Sequence, residues 1–206
     1  MSGTIFVIGA GGHAKAAIAA AESAGAVIGG IFDDDPTKNE LMLLGYRVAA
    51  PVPPSSWWAQ QDASAHIAIG DNRARERMAG RVHARWQSLI HQSATVHRSA
   101  KIGEGALICA HAVVHPDAEI GPHAVVNTGA IVEHDCRVGA FAHLAPRSCL
   151  AGGARVGVGA FLGAGAVIVP NVSLGEWAVA GAGAAVISDV GDGVRVAGVP
   201  ARVLRP

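Results

Sequence analysis

Residues 126–150, VNTGAIVEHDCRVGAFAHLAPRSCL, place an aliphatic residue at every sixth position: Val126, Val132, Val138, Leu144 and Leu150. The same column runs from Ile90 to Val186, where seventeen positions hold sixteen branched aliphatic residues and one alanine. Neither the 3.6-residue period of a helix nor the two-residue alternation of a strand gives this spacing. The hexapeptide period predicts a parallel β-helix, in which each six-residue unit forms one side of a triangular coil.

A second column, four residues after the first, holds small residues, mostly alanine. We expect the aliphatic column to fill the interior of the coils and the small column to fit near their corners. Cys136 belongs to the small column, which makes it a packing residue rather than the exposed nucleophile of a Cys–His pair. Because three hexads close one coil, seventeen give nearly six coils. No loop interrupts them, so another subunit or the N-terminal part must complete any substrate pocket.

The composition of the 206-residue chain excludes some kinds of partner. Its 16 basic and 16 acidic residues cancel, so no basic field predicts binding to nucleic acid or to an anionic membrane surface. No apolar run reaches the roughly 18 residues that a membrane-spanning helix needs. The three cysteines form no CxxC motif, which favours a reduced, cytoplasmic location without a disulfide framework or a zinc site.

The first 25 residues have the pattern of a buried strand, a glycine turn and an alanine-rich helix. Gly9, Gly11 and Ala14 satisfy the G-x-G-x-x-G/A pattern of dinucleotide-binding proteins, and an acidic run over 33–35 follows about 20 residues later. Taken literally, this pattern predicts NAD. A dinucleotide needs two mononucleotide-binding halves, however, and the hexads begin by residue 90, which leaves room for one half only.

That half is predicted to have strands near 4–8, 26–32 and 66–70 and a helix near 72–86. It favours a mononucleotide, or a sugar carried on one, because glycines let the backbone approach a phosphate at a helix N-terminus. The candidate ligands of the nucleotide-sugar are Gly11, Gly12, His13, Asp33, Asp34, Gly70 and Asn72. His13 has a second interpretation, as a cap of the helix start. Residues 51–58 are predicted as a loop in which Trp57 and Trp58 either stack on a base or pack at the domain edge.

Six segments, VIGAGGHAK, IFDDD, AIGDN, NTGAIVEHDC, FAHLAP and VAGVPARV, together resemble the sugar O/N-acetyltransferases of the NeuD/PglD type. The resemblance covers essentially the whole chain. It implies an α/β Rossmann-like half-domain over residues 1–86, a left-handed parallel β-helix over 87–190 and a C-terminal tail over 191–206. It also implies a homotrimer that acetylates a nucleotide-linked sugar (UDP or GDP) with acetyl-CoA, without metal or NAD.

His134 is the third residue of the hexad that begins at Val132, so its side chain is expected to point outward or along the face of the coil. A neutral imidazole, with an ordinary pKa of about 6.5, can remove the proton of a sugar ammonium or hydroxyl. A neighbouring carboxylate can raise its basicity. The resemblance places the catalytic base at His134 and its acidic partner at Asp135, where the family usually has glutamate. Glu133 is the alternative partner.

The resemblance assigns Asn127 to the acceptor sugar, and it assigns four residues to acetyl-CoA: His143, Gly152, Ala164 and Ala182. The Gly152 N–H is a candidate donor to the thioester oxyanion, while ordinary hexad packing is the alternative role of each small residue. His143 follows His134 by one and a half sides of the triangle, and a side is about 20 Å long at about 3.3 Å per residue. The two imidazoles should therefore lie on different faces of one subunit and can share a site only at a subunit interface.

His97 and His115 are eighteen residues apart and are expected to stack on neighbouring coils, but no third ligand type is in reach, so no metal site is predicted. The function predicted first is N-acetyl transfer to the 4-amino group of a nucleotide-linked amino-deoxy sugar, by direct attack on acetyl-CoA. Three alternatives remain: O-acetylation of sialic acid or a related sugar, a non-catalytic β-helix binding scaffold, and an NAD-binding regulator.

Overall fold

The computed structural model describes residues 4–61 and 64–204. An α/β unit comes first, with the elements β1 (Thr4–Ile8), α1 (Gly12–Ser23), β2 (Val27–Phe32), β3 (Met42–Leu43), β4 (Tyr46–Ala49), α2 (Ser55–Trp58), β5 (Ser64–Ile67), α3 (Asn72–Arg81) and β6 (Arg85–Trp86). A short 3-10 helix, Pro36–Lys38, lies between β2 and β3. Glycine follows β1 and aspartate follows β2, so each aliphatic run ends at a residue that favours a turn.

One six-stranded sheet, in the order β3-β4-β2-β1-β5-β6, forms the centre of this unit. Its pairs are parallel except for β3 with β4. The strand order reverses at β1, which lies between β2 and β5. In parallel sheets such a switch point opens a crevice at the carboxyl ends of the strands.

The predicted elements of this unit are confirmed with shifted bounds. The strands expected near 26–32 and 66–70 are Val27–Phe32 and Ser64–Ile67. The helix expected near 72–86 ends at Arg81 because Val82 has an extended backbone. The strands β3, β4 and β6 were not predicted, since two to four residues are too few to show a period.

Trp57 and Trp58 pack inside the α/β unit, which confirms the packing interpretation. They lie on the short helix α2 rather than on a loop. Trp58 is 4% exposed and donates its Nε1–H to the carbonyl of Pro53, while Trp57 contacts Phe6 and Phe32 edge-on. Neither ring lines the large cavity described below, so neither is placed to stack on a base there.

The β-helix has three faces, and neighbouring strands of a face are parallel and eighteen residues apart up to β23, while β24 and β25 at the end of the first face depart from this spacing. The first face contains β7 (Leu89–Ile90), β10 (Leu107–Ile108), β13 (Val125–Val126), β16 (His143–Leu144), β19 (Phe161–Leu162), β22 (Val179–Ala180), β24 (Arg195–Ala197) and β25 (Arg202–Val203). The second contains β8 (Thr95–Val96), β11 (Val113–Val114), β14 (Ile131–Val132), β17 (Cys149–Leu150), β20 (Val167–Ile168) and β23 (Ala185–Val186). The third contains β9 (Lys101–Ile102), β12 (Glu119–Ile120), β15 (Arg137–Val138), β18 (Arg155–Val156) and β21 (Ser173–Leu174).

Both hexad columns pack in the interior of the coils, as predicted. One buried cluster joins the aliphatic column from Ile108 to Val186 with the small column from Ala106 to Val190. Cys136 is 0% exposed within it, and burial raises the pKa of its thiol to about 11. The position of Cys136 therefore confirms a packing residue and rules out an exposed nucleophile. The segment predicted as a tail adds β24 and β25 to the first face.

The three faces differ in what covers them. The α/β unit lies on the first face, where α1 contacts β7 and β10 and the outward side chains of Leu107 and Val125 are buried. The second face presents an apolar column that is partly exposed, with Ile131 and Cys149 half-buried and Val167 38% exposed. The third face carries exposed charges such as Lys101, which pairs with Glu119 at 2.8 Å.

No helix in the two described stretches is long and apolar enough to cross a membrane. The three cysteines are unpaired, and Cys109 and Cys136 are buried. We keep the boundaries 1–86, 87–190 and 191–206 as a proposal, because β6 ends at Trp86 and the first coil strand begins at Leu89.

Candidate active site

A cavity of about 730 Å³ lies at the carboxyl ends of β1, β2 and β5. Its lining includes Gly9, Asp33 and Ala68, the residues that directly follow these three strands. Gly9 has a φ of +105°, and a side chain there would meet the carbonyl oxygen of Ala68 at 3.0 Å. Only glycine fits this turn, which lets the chain pass from β1 into α1 beside the cavity.

Six of the predicted nucleotide-sugar residues line this cavity: Gly11, Gly12, His13, Asp33, Asp34 and Gly70. The first-turn N–H groups of α1 have no side-chain cap, so the helix N-terminus remains available to an anion. The absence of a cap bond also removes the interpretation of His13 as a capping residue. Three cations that were not predicted, Lys38, Arg77 and Arg81, also line the cavity.

Asp33 links the loop after β1 to the end of β2. Its Oδ2 accepts the Ala10 N–H at 2.7 Å and Lys38 Nζ at 2.9 Å, and its Oδ1 accepts the Asp35 N–H at 2.9 Å. Burial opposes ionisation, but these hydrogen bonds outweigh it and lower the pKa of Asp33. An ionised carboxylate keeps a lone pair for a ribose or sugar hydroxyl.

Asp34 and Arg81 form an ion pair at 2.6 Å across the cavity lining. Asp34 also accepts the Val52 N–H at 3.2 Å. The arginines of α3 were not predicted as ligands, although the helix sequence NRARERMAGR contains four of them. Arg77 and Arg81 are four residues apart and so share one helix face, and that spacing was the available signal.

Asn72 lies outside the cavity, so its position does not support a direct contact with the nucleotide. Its Nδ2 donates to the carbonyls of Gly159 and Ala160 at 3.1 and 3.2 Å, and its Oδ1 accepts from Arg75. Asn72 thus fastens α3 to a coil of the β-helix. The sequence motif contained no sign of this partner, which is about ninety residues away.

His143 and His13 face each other where the cavity meets the first face. Their ring centroids are 5.5 Å apart, and His143 is 7% exposed beneath the α/β unit of its own chain. Burial, assisted by the nearby Arg75, lowers the pKa of His13 to about 4. Burial together with His13 and Arg75 lowers that of His143 to about 3. Both imidazoles are therefore neutral at pH 7.

Asn127 is held by His143. Its Nδ2 donates to His143 Nε2 at 3.1 Å, and its Oδ1 accepts the Thr128 N–H at 2.8 Å. His143 Nδ1 in turn lies 3.3 Å from the carbonyl oxygen of Gly70, a cavity residue. Asn127, the residue predicted to contact the acceptor sugar, is thereby joined to the cavity of the same chain.

His134 lies in the turn between β14 and β15, at the corner of the second and third faces. Its side chain is 62% exposed, and Nδ1 pairs with Asp135 Oδ2 at 2.8 Å. That hydrogen bond and the charges of Asp135 and Glu133 raise the pKa of His134. Glu133 lies closer to His115, at 3.6 Å, so Asp135 is the direct partner. Asp135 has a φ of +60°, a conformation that aspartate tolerates better than most residues.

Gly152 lies against the ring of His134, one coil later. A Cβ on Gly152 would be 2.7 Å from both Cε1 and Nε2 of the imidazole. At this turn position of the hexads, residues 92, 98 and onward to 188, Gly152 is the only glycine in the sequence. Because Gly152 has no side chain, the His134 ring can pack against its backbone. In this position Nδ1 is bonded to Asp135 and Nε2 is free.

Replacing Gly152 with alanine is expected to lower kcat about tenfold, because the new methyl group displaces the ring of the base from its position. The backbone φ of Gly152 is not positive, so thermal stability should not change. Steady-state kinetics and a melting curve measure both quantities. Gly80→Ala, in open space on α3, is the matched control, and an equal loss in both variants would contradict a specific role for Gly152.

Replacing Asp135 with asparagine is expected to move the acid limb of the kcat/KM–pH profile to lower pH. Asp135 raises the pKa of His134, the base must be neutral to act, and activity is lost as the pH falls through that pKa. The asparagine N–H also favours the wrong tautomer, so the plateau should drop about tenfold. Glu133→Gln, which changes only a more distant charge, should move the limb less. An unmoved limb in Asp135→Asn would count against the pair.

The predicted residues fall on two edges of the second face. Asn127, Ala164 and Ala182 lie in turns at its edge with the first face, and Gly183 N–H donates to the Ala164 carbonyl, which stacks two of these turns. His134 and Gly152 lie at its edge with the third face. One subunit therefore does not bring His134 to the side of the cavity.

No group of three or more potential metal ligands occurs within residues 4–61 and 64–204. His97 bonds to Ser99, and His115 lies near Glu133. A β-helix of hexapeptide coils, a cavity at the N-terminus of α1 and an exposed His–Asp pair with a free Nε2 are together typical of a hexapeptide-repeat acyltransferase.

The PglD N-terminal domain family matches residues 4–82. GDP-perosamine N-acetyltransferase from Caulobacter crescentus, as a histidine-to-alanine variant in complex with CoA and GDP-perosamine, is 39% identical with a TM-score of 0.94, over 99% of this chain and 98% of that one. The chain therefore belongs to the NeuD/PglD-type family of acetyl-CoA-dependent sugar N-acetyltransferases, with its left-handed β-helix.

Two further structures agree with this assignment. The acetyltransferase domain of PglB from Neisseria gonorrhoeae, in complex with acetyl coenzyme A, is 33% identical with a TM-score of 0.87, over 99% of this chain and 100% of that one. WeeI from Acinetobacter baumannii is 26% identical with a TM-score of 0.83, over 98% and 99%. No curated protein sequence matches the chain significantly.

Proposed function

We propose that the protein transfers the acetyl group of acetyl-CoA to the 4-amino group of a nucleotide-linked amino-deoxy sugar, GDP-linked first and UDP-linked second. The observation that carries the proposal is the His134–Asp135 hydrogen bond of 2.8 Å, which leaves Nε2 free on the chain surface. The enzyme solved with CoA and GDP-perosamine is 39% identical over nearly the whole chain, which supports the acceptor and its nucleotide.

The cavity supports the binding of the nucleotide diphosphate. The uncapped N-terminus of α1 and the cations Lys38, Arg77 and Arg81 suit an anion. Asp33 is ionised and suits a hydroxyl. The sugar then extends toward His13, His143 and Asn127, which are neutral and do not repel or protonate an amine.

The transfer itself is a direct displacement. The amine nitrogen forms a bond to the thioester carbonyl carbon, His134 Nε2 takes the amine proton, the C–S bond breaks, and the CoA thiolate leaves and receives that proton. Asp135 holds the proton on Nδ1, which keeps Nε2 as the base. The Gly152 N–H, beside the imidazole, is our candidate donor to the oxyanion. His143, Ala164 and Ala182 remain proposed contacts of acetyl-CoA.

The two edges of the second face support a homotrimer with sites between subunits. The cavity, His143 and Asn127 lie toward one edge, while His134 lies at the other. A second copy that brings its His134 to the first edge would also cover the apolar column of Ile131, Cys149 and Val167. A cytoplasmic location is part of the proposal, since unpaired cysteines suit a reducing compartment.

The test is an assay of CoA thiol release with acetyl-CoA and, in turn, GDP- and UDP-linked 4-amino-4,6-dideoxy sugars. We expect release with one of them, and no release with the GDP-linked sugar that carries a 4-hydroxyl group in place of the amine. If CoA thiol were released only with sialic acid or CMP-sialic acid, the acceptor would be a hydroxyl group and not an amine. No release with any acceptor, at a protein concentration that binds the nucleotide, would favour a binding scaffold.

A further inference from the structure

Arg75 lies between the α/β unit and the β-helix and is 1% exposed. Its Nε donates to the carbonyl of His123 at 2.8 Å, NH1 to those of Ile69 and Gly70 at 2.8 and 3.3 Å, and NH2 to Asn72 Oδ1 and the carbonyl of Phe141 at 2.8 and 2.7 Å. A guanidinium has five N–H donors. All five are used on neutral oxygens, from both parts of the chain.

This cation has no carboxylate beside it within the described residues, apart from the more distant charge of Asp71. Burial lowers the pKa of Arg75 to about 10, so the side chain remains charged at neutral pH. A buried charge costs stability that an apolar contact between two domains does not. A role beyond holding the domains together would account for its presence.

A line of hydrogen bonds leads from Arg75 to the acceptor end of the site. Arg75 and His143 share one partner, the carbonyl oxygen of Gly70. His143 Nδ1 must carry the proton in order to donate to this carbonyl. In that tautomer Nε2 is unprotonated, and its lone pair accepts from Asn127 Nδ2 at 3.1 Å. The orientation of the Asn127 amide thus depends on the tautomer of His143. We call Arg75, Gly70, His143 and Asn127 the relay.

We propose that Arg75 is a positioning residue that acts through Gly70 and His143 to orient the Asn127 amide toward the acceptor sugar. The inference rests on the proposed function, in which Asn127 contacts that sugar. After its bonds to His143 and to the backbone N–H and Oγ1 of Thr128, the amide keeps one N–H. This N–H is held in one direction by groups outside the corner that holds His134.

The first experiment is a double-mutant cycle on kcat/KM for the nucleotide sugar, with Arg75→Lys and Asn127→Ala. Lysine keeps the charge but has only three donors for five oxygens. Each single variant is expected to lower kcat/KM about tenfold. The double variant should lower it by about the same factor, because both changes abolish the same thing, the fixed orientation of the Asn127 amide. Losses that multiply in the double variant would show that Arg75 does not act through Asn127.

The matched control is Arg73→Ala. Arg73 also joins α3 to the β-helix, through its guanidinium at 3.7 Å from the ring centre of Trp177, but it belongs to no part of the relay. Its effect should multiply with that of Asn127→Ala. If both cycles gave coupling of equal size, any loosening of the domain contact would disturb Asn127. That result would contradict a specific role for Arg75.

The second experiment needs no substrate. Nitrogen NMR of the His143 imidazole in the ligand-free protein should show the proton on Nδ1 alone, and a mixture of tautomers in Arg75→Lys, or in Arg75→Gln if the lysine variant does not fold. A proton on Nε2 in the unaltered protein, or an unchanged tautomer in the folded variant, overturns the relay. A protein that is silent in every acetyl-transfer assay but passes this test refutes the proposed function alone.

Discussion

Replacing His134 with alanine is expected to lower kcat about 1,000-fold, within the range that general base catalysis contributes. The amine then has no group to take its proton during attack on the thioester. KM for the nucleotide sugar should change little, because His134 is not among the residues that line the cavity. Release of CoA thiol at saturating substrate measures the rate, and the 62% exposure of the side chain means that the melting temperature should not move.

His97→Ala is the control for this variant, since His97 is an exposed histidine of the same β-helix whose side chain bonds to Ser99. It should keep full activity. If His134→Ala kept more than about a tenth of the rate, the base would have to be another group. His143 is not a ready substitute, because burial lowers its pKa to about 3.

Replacing Gly12 with phenylalanine is expected to raise KM for the nucleotide sugar about 100-fold or more, because the ring occupies space that the ligand needs. Gly12 lines the cavity, and a Cβ there meets nothing within 4 Å, so the side chain enters the cavity without disturbing the fold. Calorimetric titration with GDP and UDP measures the loss directly. KM for acetyl-CoA should remain the same.

Gly80→Phe is the matched control for this change. It too has nothing within 4 Å, but it is exposed on α3 and does not line the cavity. If Gly12→Phe bound nucleotide normally, the nucleotide would have to bind elsewhere. The assignment of this cavity as the nucleotide site would then be wrong.

The same two inactive variants test whether each site is shared between subunits. Co-expressed and purified as mixed trimers, His134→Ala and Gly12→Phe should recover about a quarter of the wild-type rate, because one intact cavity meets one intact base in about one of four pairings. The separately purified variants, mixed without subunit exchange, should stay inactive. No recovery in the mixed trimers would mean that each chain uses its own His134.

The β-helix could be predicted because its signal is local and repeated. Each hexad repeats the same requirement, an aliphatic residue inside and a small residue near the corner. A deviation at one position, such as Ala180, therefore did not hide the repeat. The short strands β3, β4 and β6 had no such repetition. Their pairing depends on neighbours in the sheet rather than on their own sequence.

The candidate site was predictable in part, and the residues show why. Gly11, Asp33 and Asp34 follow parallel strands, and the ends of such strands meet at one edge. The bonds of Asn72, Arg75 and His143 reach across the contact of the two domains. Their partners across this contact are 48 to 88 residues away, and no local pattern encodes that distance.

The sequence by itself therefore determined the repeating coil, the N-terminal α/β half-domain and the pairing of His134 with a neighbouring acid, because each depends on residues close together in the chain. Only the tertiary structure decided that Asp135 rather than Glu133 is the direct partner, that the ring of His134 rests on Gly152, and that His143 is buried and neutral. These outcomes depend on the direction of side chains and on the stacking of coils and domains, and burial changes a residue's chemistry without changing its letter.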